Sequence, residues 1–559
     1  MRASLVALAF LAPMASAQPQ PAPPARYVLD HARIYTVDAA HPIAEALAVD
    51  AGRIVAVGTS AELAAQYAAW PRIDVGGRTV VPGLIDAHAH LLGLGQSLLQ
   101  ADLVGTASLA DIGDRLRAFA ATAPAGAWIT GRGWDQNDWA GSGAFPTRHD
   151  LDAILADRPV WIQRVDGHAS WANTAALRSA GIDPDAAAPA DPAGGQVVRD
   201  ARGRATGVFV DAAEALVARA VPAMTDAEWA EALRRATEET TRAGLTGVHE
   251  AGVPLAALDF YRAAIAAGTL PIRVYAMVEP GEIDAFCAAN PSGALVDPSG
   301  RLAVRSVKVY TDGALGSRGA ALLADYTDDA GNRGLMQMPA EALASLAGRA
   351  MRCGLQVNTH AIGDAANRAV LDAYEAAIAA TGGGPGRHRI EHVQVLDPAD
   401  VPRFAALGVI ASVQPTHATS DMPWAETRLG PDRVRGAYAW RSLVNAGARL
   451  ALGSDFPVER VSPLLGFYAA VTRQDAAGAP PGGWHADQTL TRAEALRGFT
   501  LDAAFAGFME DEVGSLEAGK RADFVVLSQD LMTVPADQIL ATRVLATYLD
   551  GAPVYQELP

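Results

Sequence analysis

The chain has 559 residues, of which 50% are hydrophobic and 19% charged, with 53 glycines and 34 prolines. This composition is typical of a globular protein and excludes a disordered or collagen-like chain, and the length suits several domains or one large barrel with additions. The formal net charge is -17, without any long run of lysine or arginine. Because nucleic-acid binding needs a clustered basic face, we expect no nucleic-acid partner.

The N-terminus has the pattern of a cleavable export signal. Arg2 precedes a short apolar run and the small residues at 15–17. We therefore expect a signal peptide at residues 1–17, a proline-rich leader at 18–25 and a periplasmic or secreted mature protein. The apolar run is too short to cross a bilayer, and no later segment offers about 18 uninterrupted apolar residues, so we expect no integral membrane association. The spacing of Cys287 and Cys353 agrees with one disulfide bond or with two buried thiols.

Alternating apolar and polar residues predict strands near both ends of the chain. Residues 26–78 contain a strand–turn–strand signal around Asp50-Ala51-Gly52, and a similar pattern returns in residues 511–559. Neither set is wide enough to bury a face alone. We expect the two sets to form one small β-sandwich domain.

Eight short apolar runs alternate with alanine-rich helical stretches between these ends. This alternation predicts an α/β fold, a (β/α)8 TIM-like barrel over residues 79–510. Residues 92–243, after the first run, are far too many for an ordinary βα loop and predict an inserted subdomain. The eight runs are TVVPGLIDA, GLTGVHE, PIRVYAMV, VRSVKVY, LQVNTHA, RIEHVQV, GVIASVQP and RLALGSD.

Ligand-type residues follow five of the predicted strands, at the end where a (β/α)8 barrel builds its active site. His88 and His90 share one face of the first strand, so both can reach one cation. Taken singly, each residue also suits a structural role such as a core histidine, a snorkelling lysine or a helix cap. Together they predict a divalent-metal site on one rim. The candidates are His88, His90, Lys308, His360, His392 and Asp455.

Such a site predicts hydrolysis. A divalent cation lowers the pKa of a water molecule from about 15.7 to near 7 and polarises a scissile carbonyl. Asp455 can take the proton of that water and pass it to a leaving nitrogen.

Six motifs, spread over nearly all of the mature chain, resemble the amidohydrolase superfamily and specifically its YtcJ-like branch (amidohydrolase family 3). The resemblance implies a site for one or two divalent ions, with zinc as the chemical default. It implies that Lys308 is carboxylated and bridges the ions, and that Asp455 contacts the buried metal and acts as general base. The motifs are PGLIDAHAHL, KVYTDGALGSRGA, THAIGDAAN, RIEHVQ, ALGSDFPV and GSLEAGKRADFVVL.

The same resemblance divides the four histidines between two ions. His88 and His90 would hold the more buried ion. His360 and His392 would hold the second.

Secondary candidates lie in the insertion and after the fourth strand. We expect His168 to contact the substrate or polarise its carbonyl, with a structural loop histidine as the alternative. Glu250 and Asp364 could orient metal-bound imidazoles through hydrogen bonds, or they could cap helices. The spacing of His417 requires no role for it. The expected substrate-binding residues are Trp134, Asp135, Asp312 and Arg318, of which Arg318 and Asp312 also suit a surface ion pair.

We therefore expect an exported metal-dependent amidohydrolase that cuts a non-peptide C–N bond, an amide of a small or medium-sized hydrophobic molecule. The first alternative is an ester, lactone, carbamate or imide at the same site. The alternative from another class is a catalytically silent metal-binding or regulatory protein, against which the presence of Asp455 argues. The number of ions and the oligomeric state stay open, and a homodimer is common for barrels with large insertions.

Overall fold

The computed structural model describes residues 25–139, 144–165, 167, 169–192, 195–384 and 386–557. Residues 1–17 and 18–24, the predicted signal and most of the leader, lie outside the described residues. The described residues form four sheets: two from the joined chain ends, one in the insertion and a parallel central sheet. No helix in the described ranges has the length and apolar character needed to cross a bilayer.

The central sheet is a parallel (β/α)8 barrel, which confirms the predicted fold class. Its eight strands follow one another around the sheet in chain order. The backbone N–H of Asp455 donates to the His88 carbonyl at 2.8 Å and so links the last strand to the first. The strands are almost wholly buried, as in a sheet covered on both faces. They are Leu84–Ala89, Leu245–Val253, Arg273–Val278, Leu302–Tyr310, Gln356–Ala361, Arg389–His392, Ile410–Val413 and Leu450–Leu452, with Leu295–Val296 pairing beside the fourth.

The chain ends form two adjoining sheets. The segment 79–87, expected as one barrel strand, is split: Thr79–Pro82 joins the terminal strands, and the barrel begins at Leu84. The change of sheet occurs at Gly83, where a Cβ would lie only 2.2 Å from the Thr246 hydroxyl oxygen. One sheet contains Arg26–Asp30, Ala46–Asp50, Arg53–Gly58 and Arg72–Asp74; the other contains Arg33–Tyr35, Ile43–Ala44, Thr79–Pro82, Phe524–Leu527, Val544–Leu549 and Ala552–Gln556.

The insertion has a sheet and an aromatic core of its own. Trp134 and Trp171 are completely buried there, with ring centroids 5.8 Å apart. Trp161 also packs in the core of the insertion. The strands are Ala101–Asp102, Ile129–Trp134, Val160–Arg164, Ala169–Ala172, Gly195–Arg199 and Ala205–Asp211.

Several helices begin at capping boxes. The Thr225 and Thr491 hydroxyls accept from the backbone N–H three residues on, whose glutamates bond back. The α-helices are Ser60–Gln66, Leu91–Ser97, Leu109–Ala120, Arg148–Ile154, Thr174–Ser179, Ala215–Ala218, Asp226–Arg242, Ala257–Ala266, Ile283–Ala289, Ala340–Arg352, Asp364–Thr381, Val401–Leu407, Pro415–Asp421, Ala425–Arg433, Trp440–Asn445, Pro463–Thr472, Arg492–Gly498 and Leu501–Ala506. The 3-10 helices are Gln136–Asp138, Ala212–Glu214, Pro280–Glu282, Val434–Gly436, Ala486–Gln488 and Ala536–Ala541.

The two cysteines, whose state the sequence left open, are joined. A disulfide bond connects Cys287 to Cys353 and so ties the helix Ile283–Ala289 to the end of the helix Ala340–Arg352.

Candidate metal centre

His88 is completely buried at the C-terminal end of the first barrel strand. Its Nδ1 lies 2.6 Å from Oε2 of Glu391, on the sixth strand. Because a carboxylate accepts, Nδ1 carries the proton and the lone pair is on Nε2. That Nε2 lies 3.2 Å from Nζ of Lys308 and 3.5 Å from Oδ1 of Asp455. The ring is therefore held in the tautomer that a metal ligand needs.

Asp455 lies between the two histidines of the first strand and the rest of the rim. Its Oδ1 is 3.1 Å from Nε2 of His90. Asp455 has a φ of 63°, in the left-handed region that non-glycine residues rarely adopt. Asp86, which accepts from the backbone N–H groups of His88 (3.1 Å) and Ser454 (3.0 Å), supports this turn from below. A strained backbone held by its neighbours is characteristic of functional sites.

His360 and His392 complete the ring of imidazoles. The His392 ring centroid lies 4.7 Å from that of His88 and 4.6 Å from that of His360. Nδ1 of His392 donates to the Gln414 amide oxygen at 2.9 Å, which leaves its Nε2 with the lone pair. The φ of His392 is 77°, so this residue is strained as well.

Lys308 is buried on the fourth strand and faces the same space. Burial lowers the pKa of its amine to about 8. Two polar side chains that the sequence did not single out approach it: the Tyr310 ring centroid lies 5.3 Å from Nζ, and Glu279 is adjacent. Gly252 makes room for both, since a Cβ there would collide with the Tyr310 hydroxyl and come within 3.1 Å of Glu279 Oε1.

The charges of these groups follow from their surroundings. Burial, with the neighbouring Lys308, lowers the pKa of His88 to about 4, and burial holds the pKa of His392 well below its usual value. Burial alone would raise the pKa of Asp455, but the surrounding histidines hold it well below its ordinary range. Neutral imidazoles and an ionised carboxylate are the forms that bind metal ions.

The donor set fits a divalent metal ion. Within the described residues, His88, His90 and Asp455 form one group whose ligand atoms lie within 4.8 Å of one another, and His392, His417 and Asp455 form another. Nε2 of His360 is buried and, in the described part of the chain, makes no hydrogen bond. Mixed imidazole and carboxylate donors suit zinc and related ions.

A buried charge network lies beneath His88 and was missed from the sequence. Nε of Arg389 lies 2.8 Å from Oε1 of Glu391. Nη1 of the same arginine lies 2.8 Å from Nδ1 of His249. All three side chains are completely buried. The available signal was the arginine and glutamate at alternate positions of an otherwise apolar strand, since such charges are buried only when paired.

His417 also joins the site, although its spacing required no role. It lies in the first turn of the helix Pro415–Asp421. Its ring is nearly parallel to that of His392, and its Nε2 lies 3.7 Å from Oδ2 of Asp455. The Gln394 amide nitrogen lies 3.1 Å from Nδ1 of His417. Because that amide nitrogen donates, Nε2 of His417 carries a proton and faces the site as a donor.

The secondary candidates lie in different places. His168 is outside the described residues. The expectation that Trp134 borders the substrate pocket is not met: its side chain is fully buried, and its indole N–H donates to the Ile162 carbonyl at 3.0 Å. Asp135 pairs with Arg164 at 2.7 Å inside the insertion. Arg318 pairs with Asp328 at 2.9 Å, which is the surface ion pair weighed from the sequence, though with a different acid.

Three acids act on the backbone around the site. Asp312 accepts from Ala321, Ile362 and Gly363 N–H groups at 2.8–3.0 Å, and its Oδ1 lies 3.4 Å from Nε2 of His360. It therefore holds the loop after the fifth strand. Glu250 accepts from the N–H groups that open the helix Leu91–Ser97, directly after His90. Asp364 accepts from Leu323 N–H at 2.9 Å.

A cavity of about 470 Å³ opens beside His90 on the same rim. Its walls are mostly apolar, and the rings of Trp229 and Phe260 stack at 5.2 Å between centroids. A cavity of this size accommodates a small organic molecule. Its other walls include Leu92, Gly252, Val253, Pro254, Pro457 and Val458.

Comparisons with known proteins show which family the chain belongs to. The sequence profile described as amidohydrolase family matches residues 72–555. YtcJ of Bacillus subtilis is 34% identical, with 94% of this chain and 98% of that protein covered. An N-substituted formamide deformylase of Arthrobacter pascens is 30% identical, with 94% and 97% covered. A crystal structure described as an uncharacterized metal-dependent hydrolase from Pyrococcus horikoshii has a TM-score of 0.76 and 29% identity, over 91% of this chain and 99% of that one.

A barrel with this rim of histidines and acids is therefore a metal-dependent hydrolase acting on carbon–nitrogen bonds other than peptide bonds. The chain belongs to the amidohydrolase family, and its resemblance to the YtcJ-like branch is confirmed.

Proposed function

We propose that the protein hydrolyses the amide bond of a small hydrophobic molecule, with Asp455 as the general base. The observation that carries this proposal is the position of Asp455, whose two carboxylate oxygens face His90 on one side and His417 on the other. A carboxylate there can exchange a proton with a water molecule on one side and a leaving group on the other. The formamide deformylase relative supports the choice of an amide substrate.

We assign the metal ligands to the residues of the rim. His88, His90 and Asp455 would hold the more buried ion, and His360 and His392 a second one if two are bound. When bound, a zinc or similar ion supplies Lewis acidity, which activates water near neutral pH and polarises the amide carbonyl.

We also propose that Lys308 is carboxylated. Its neutral amine would add to carbon dioxide, forming an N–C bond and releasing one proton, and the lysine would change from a cation into an anion. This removes the conflict between an ammonium group and a metal ion beside His88, from which Nζ is only 3.2 Å distant.

The remaining polar groups would transfer protons and stabilise the negative charge that develops on the substrate. Asp455 would take the proton of the attacking water and deliver it to the leaving nitrogen, which otherwise departs as a poor amide anion. His417 Nε2–H would donate to the carbonyl oxygen as negative charge develops there. This is the role that the sequence suggested for His168.

The apolar cavity beside His90 would bind the hydrophobic part of the substrate. Trp229 and Phe260 give the cavity an aromatic wall. We therefore favour amides that carry an aromatic or similarly flat group over short polar ones. Esters, lactones, carbamates and imides are alternatives, because the same attack on a carbonyl opens them.

Export to the periplasm or the medium is also part of the proposal. The signal-like residues 1–17 support it, and the disulfide bond between Cys287 and Cys353 fits an oxidising compartment.

The test is hydrolysis of a chromogenic anilide series, from formanilides to larger acyl anilides, by metal-loaded protein, by chelated protein and by the Asp455→Asn variant. We expect turnover that chelation abolishes and added Zn²⁺ or Mn²⁺ restores, with aromatic amides at least about tenfold better than acetamide in kcat/KM. Matched aryl esters test the first alternative. Absence of turnover on every amide and ester, together with unchanged ligand binding by Asp455→Asn, would favour a silent binding protein instead.

A further inference from the structure

A second cavity, of about 440 Å³, lies at the opposite end of the barrel. It is bounded by the beginning of the third and fourth strands, at Arg273 and Ala303, and by residues 507–513 after the last helix. Arg53 and Arg521 of the terminal sheets close its other side. It therefore occupies the junction between the barrel and the terminal domain, away from the metal centre.

Most charges around this cavity are paired. Arg273 contacts Asp523 at 2.7 Å. Arg53 and Arg521 both contact Glu512 at 2.9 Å. These pairs neutralise one another and brace the cavity wall.

Arg305 differs from these arginines. It is half-buried on the fourth strand with its guanidinium 4.5 Å from the Phe508 ring centroid, and it pairs with no carboxylate in the described part of the chain. The other arginine near that ring, Arg387, pairs with Glu510 at 2.7 Å. Phe508 has a φ of 57°, a left-handed backbone that presents its ring beneath Arg305. Arg305 thus offers the cavity a positive charge that is held in orientation by stacking and has no carboxylate partner among the described residues.

A second unsatisfied donor lies behind the same wall. Nδ1 of His249 accepts from Nη1 of Arg389 at 2.8 Å, so its Nε2 carries the proton. That nitrogen is buried and has no acceptor among the residues described. It faces Gly507, a lining residue, where a Cβ would come within 2.8 Å of it.

Most of the remaining lining is apolar, with Asp297 as the charged exception. Val296, at 57% exposure, lies at the cavity with Pro298, Met509 and Val513. Together these side chains give the recess an apolar wall beside its charged one, the combination that ligand pockets use to bind and orient a small molecule. A phosphate dianion fits less well than a monocarboxylate, because Asp297 also lines the cavity and repels a double negative charge more strongly than a single one.

We propose that this cavity binds a small organic monocarboxylate with a hydrophobic body, whose carboxylate pairs with Arg305. The hydrophobic body contacts Val296 and Met509. The site is separate from the metal centre and does not depend on the proposed hydrolysis.

The test is calorimetric titration of metal-loaded protein with 4-phenylbutyrate and with its neutral amide, 4-phenylbutyramide. Loss of one charge-assisted pair predicts that the amide binds at least about tenfold more weakly, and that Arg305→Gln weakens carboxylate binding by a similar factor. Arg305→Lys, which keeps the charge, should retain part of the affinity. The matched control is Arg543→Gln, an exposed arginine just before the strand Val544–Leu549, which should stay within about twofold.

A crystal soak locates the ligand independently of any variant. 4-Bromophenylacetate should give an anomalous bromine signal next to Arg305, at the barrel end opposite to His88. Equal affinity of Arg305→Gln and wild type, or bromine at the metal centre alone, would overturn the proposal. Displacement of 4-phenylbutyrate by millimolar inorganic phosphate would contradict the choice of a monocarboxylate.

Discussion

Nδ1 of His88 and Oε2 of Glu391 lie 2.6 Å apart, and neither side chain has any exposure to solvent. The bond connects the first and sixth barrel strands. Glu391 is in turn paired with Arg389, so the carboxylate remains charged in the interior. The orientation of the His88 ring is therefore fixed by Glu391 and Arg389, which are buried beneath the metal centre.

This contact makes Glu391 testable as a positioning residue. Glu391→Gln removes the anionic acceptor and should weaken metal affinity by about 10- to 100-fold, measured by competition with a chromogenic chelator. The same change leaves Arg389 without its partner, so stability should fall by about 3–5 kcal/mol. Glu375→Gln, on an exposed glutamate, is the control. Wild-type metal affinity in a folded Glu391→Gln protein would refute the assignment.

The ligand assignment predicts that metal and activity disappear together. His88→Ala and His392→Ala should each lose bound metal, measured by elemental analysis, and lose turnover in parallel. His149 is an exposed histidine paired with Asp152, and His149→Ala should change neither quantity. Equal losses at His149 would mean that the histidine effects are nonspecific.

Asp455 is assigned both as a metal ligand and as the general base, and the base role is tested by kcat at matched metal content. Asp455→Asn keeps the shape of the side chain but cannot accept a proton, so kcat should fall by at least about 100-fold. Asp114→Asn, on an exposed helix, serves as control. A variant with full metal content and nearly wild-type kcat would exclude Asp455 as the base.

His417 should separate catalysis from metal binding. Its Nε2–H faces the site as a donor, so His417→Ala should lower kcat by about 10²–10³-fold while metal content stays unchanged. Elemental analysis and initial rates on the same preparation decide this. Loss of metal would instead make His417 a ligand.

One stability effect depends on pH. Arg441 and the Thr491 cap lower the pKa of Glu494 to about 2. The ionised carboxylate therefore stabilises the fold fully above its ordinary pKa of 4.5, and this stabilisation is lost as the pH falls toward 2. Glu494→Gln should lower stability by about 1–2 kcal/mol at pH 7, with a difference that shrinks below pH 4.5 in urea unfolding. A pH-independent difference, or an equal effect of Asp432→Asn on an exposed acid, would contradict this origin.

The barrel and most of its rim were accessible from the sequence because their signals are local. Apolar runs report strands buried on both faces, and the position of a residue at a strand's end reports which rim it occupies. His88, Lys308, His360, His392 and Asp455 are all close together for this reason. The resemblance to a known family gave the same set.

Other residues could not be assigned in this way. Trp134 looked like a pocket residue in a glycine-flanked turn, yet the inserted sheet buries it completely. His417 reaches the rim on a helix, and its contact with Asp455 depends on how that helix packs. The split at Gly83 depends on Thr246, a residue more than 160 positions later.

The sequence by itself determined the eight-strand pattern, the candidate ligands and the class of chemistry, because hydrophobic periodicity and donor type are properties of short segments. Only the tertiary structure decided the tautomer of His88, the position of His417 beside Asp455, the disulfide bond and the two cavities. Each of these depends on distances between residues far apart in the chain, and such distances are set by packing of whole elements against one another.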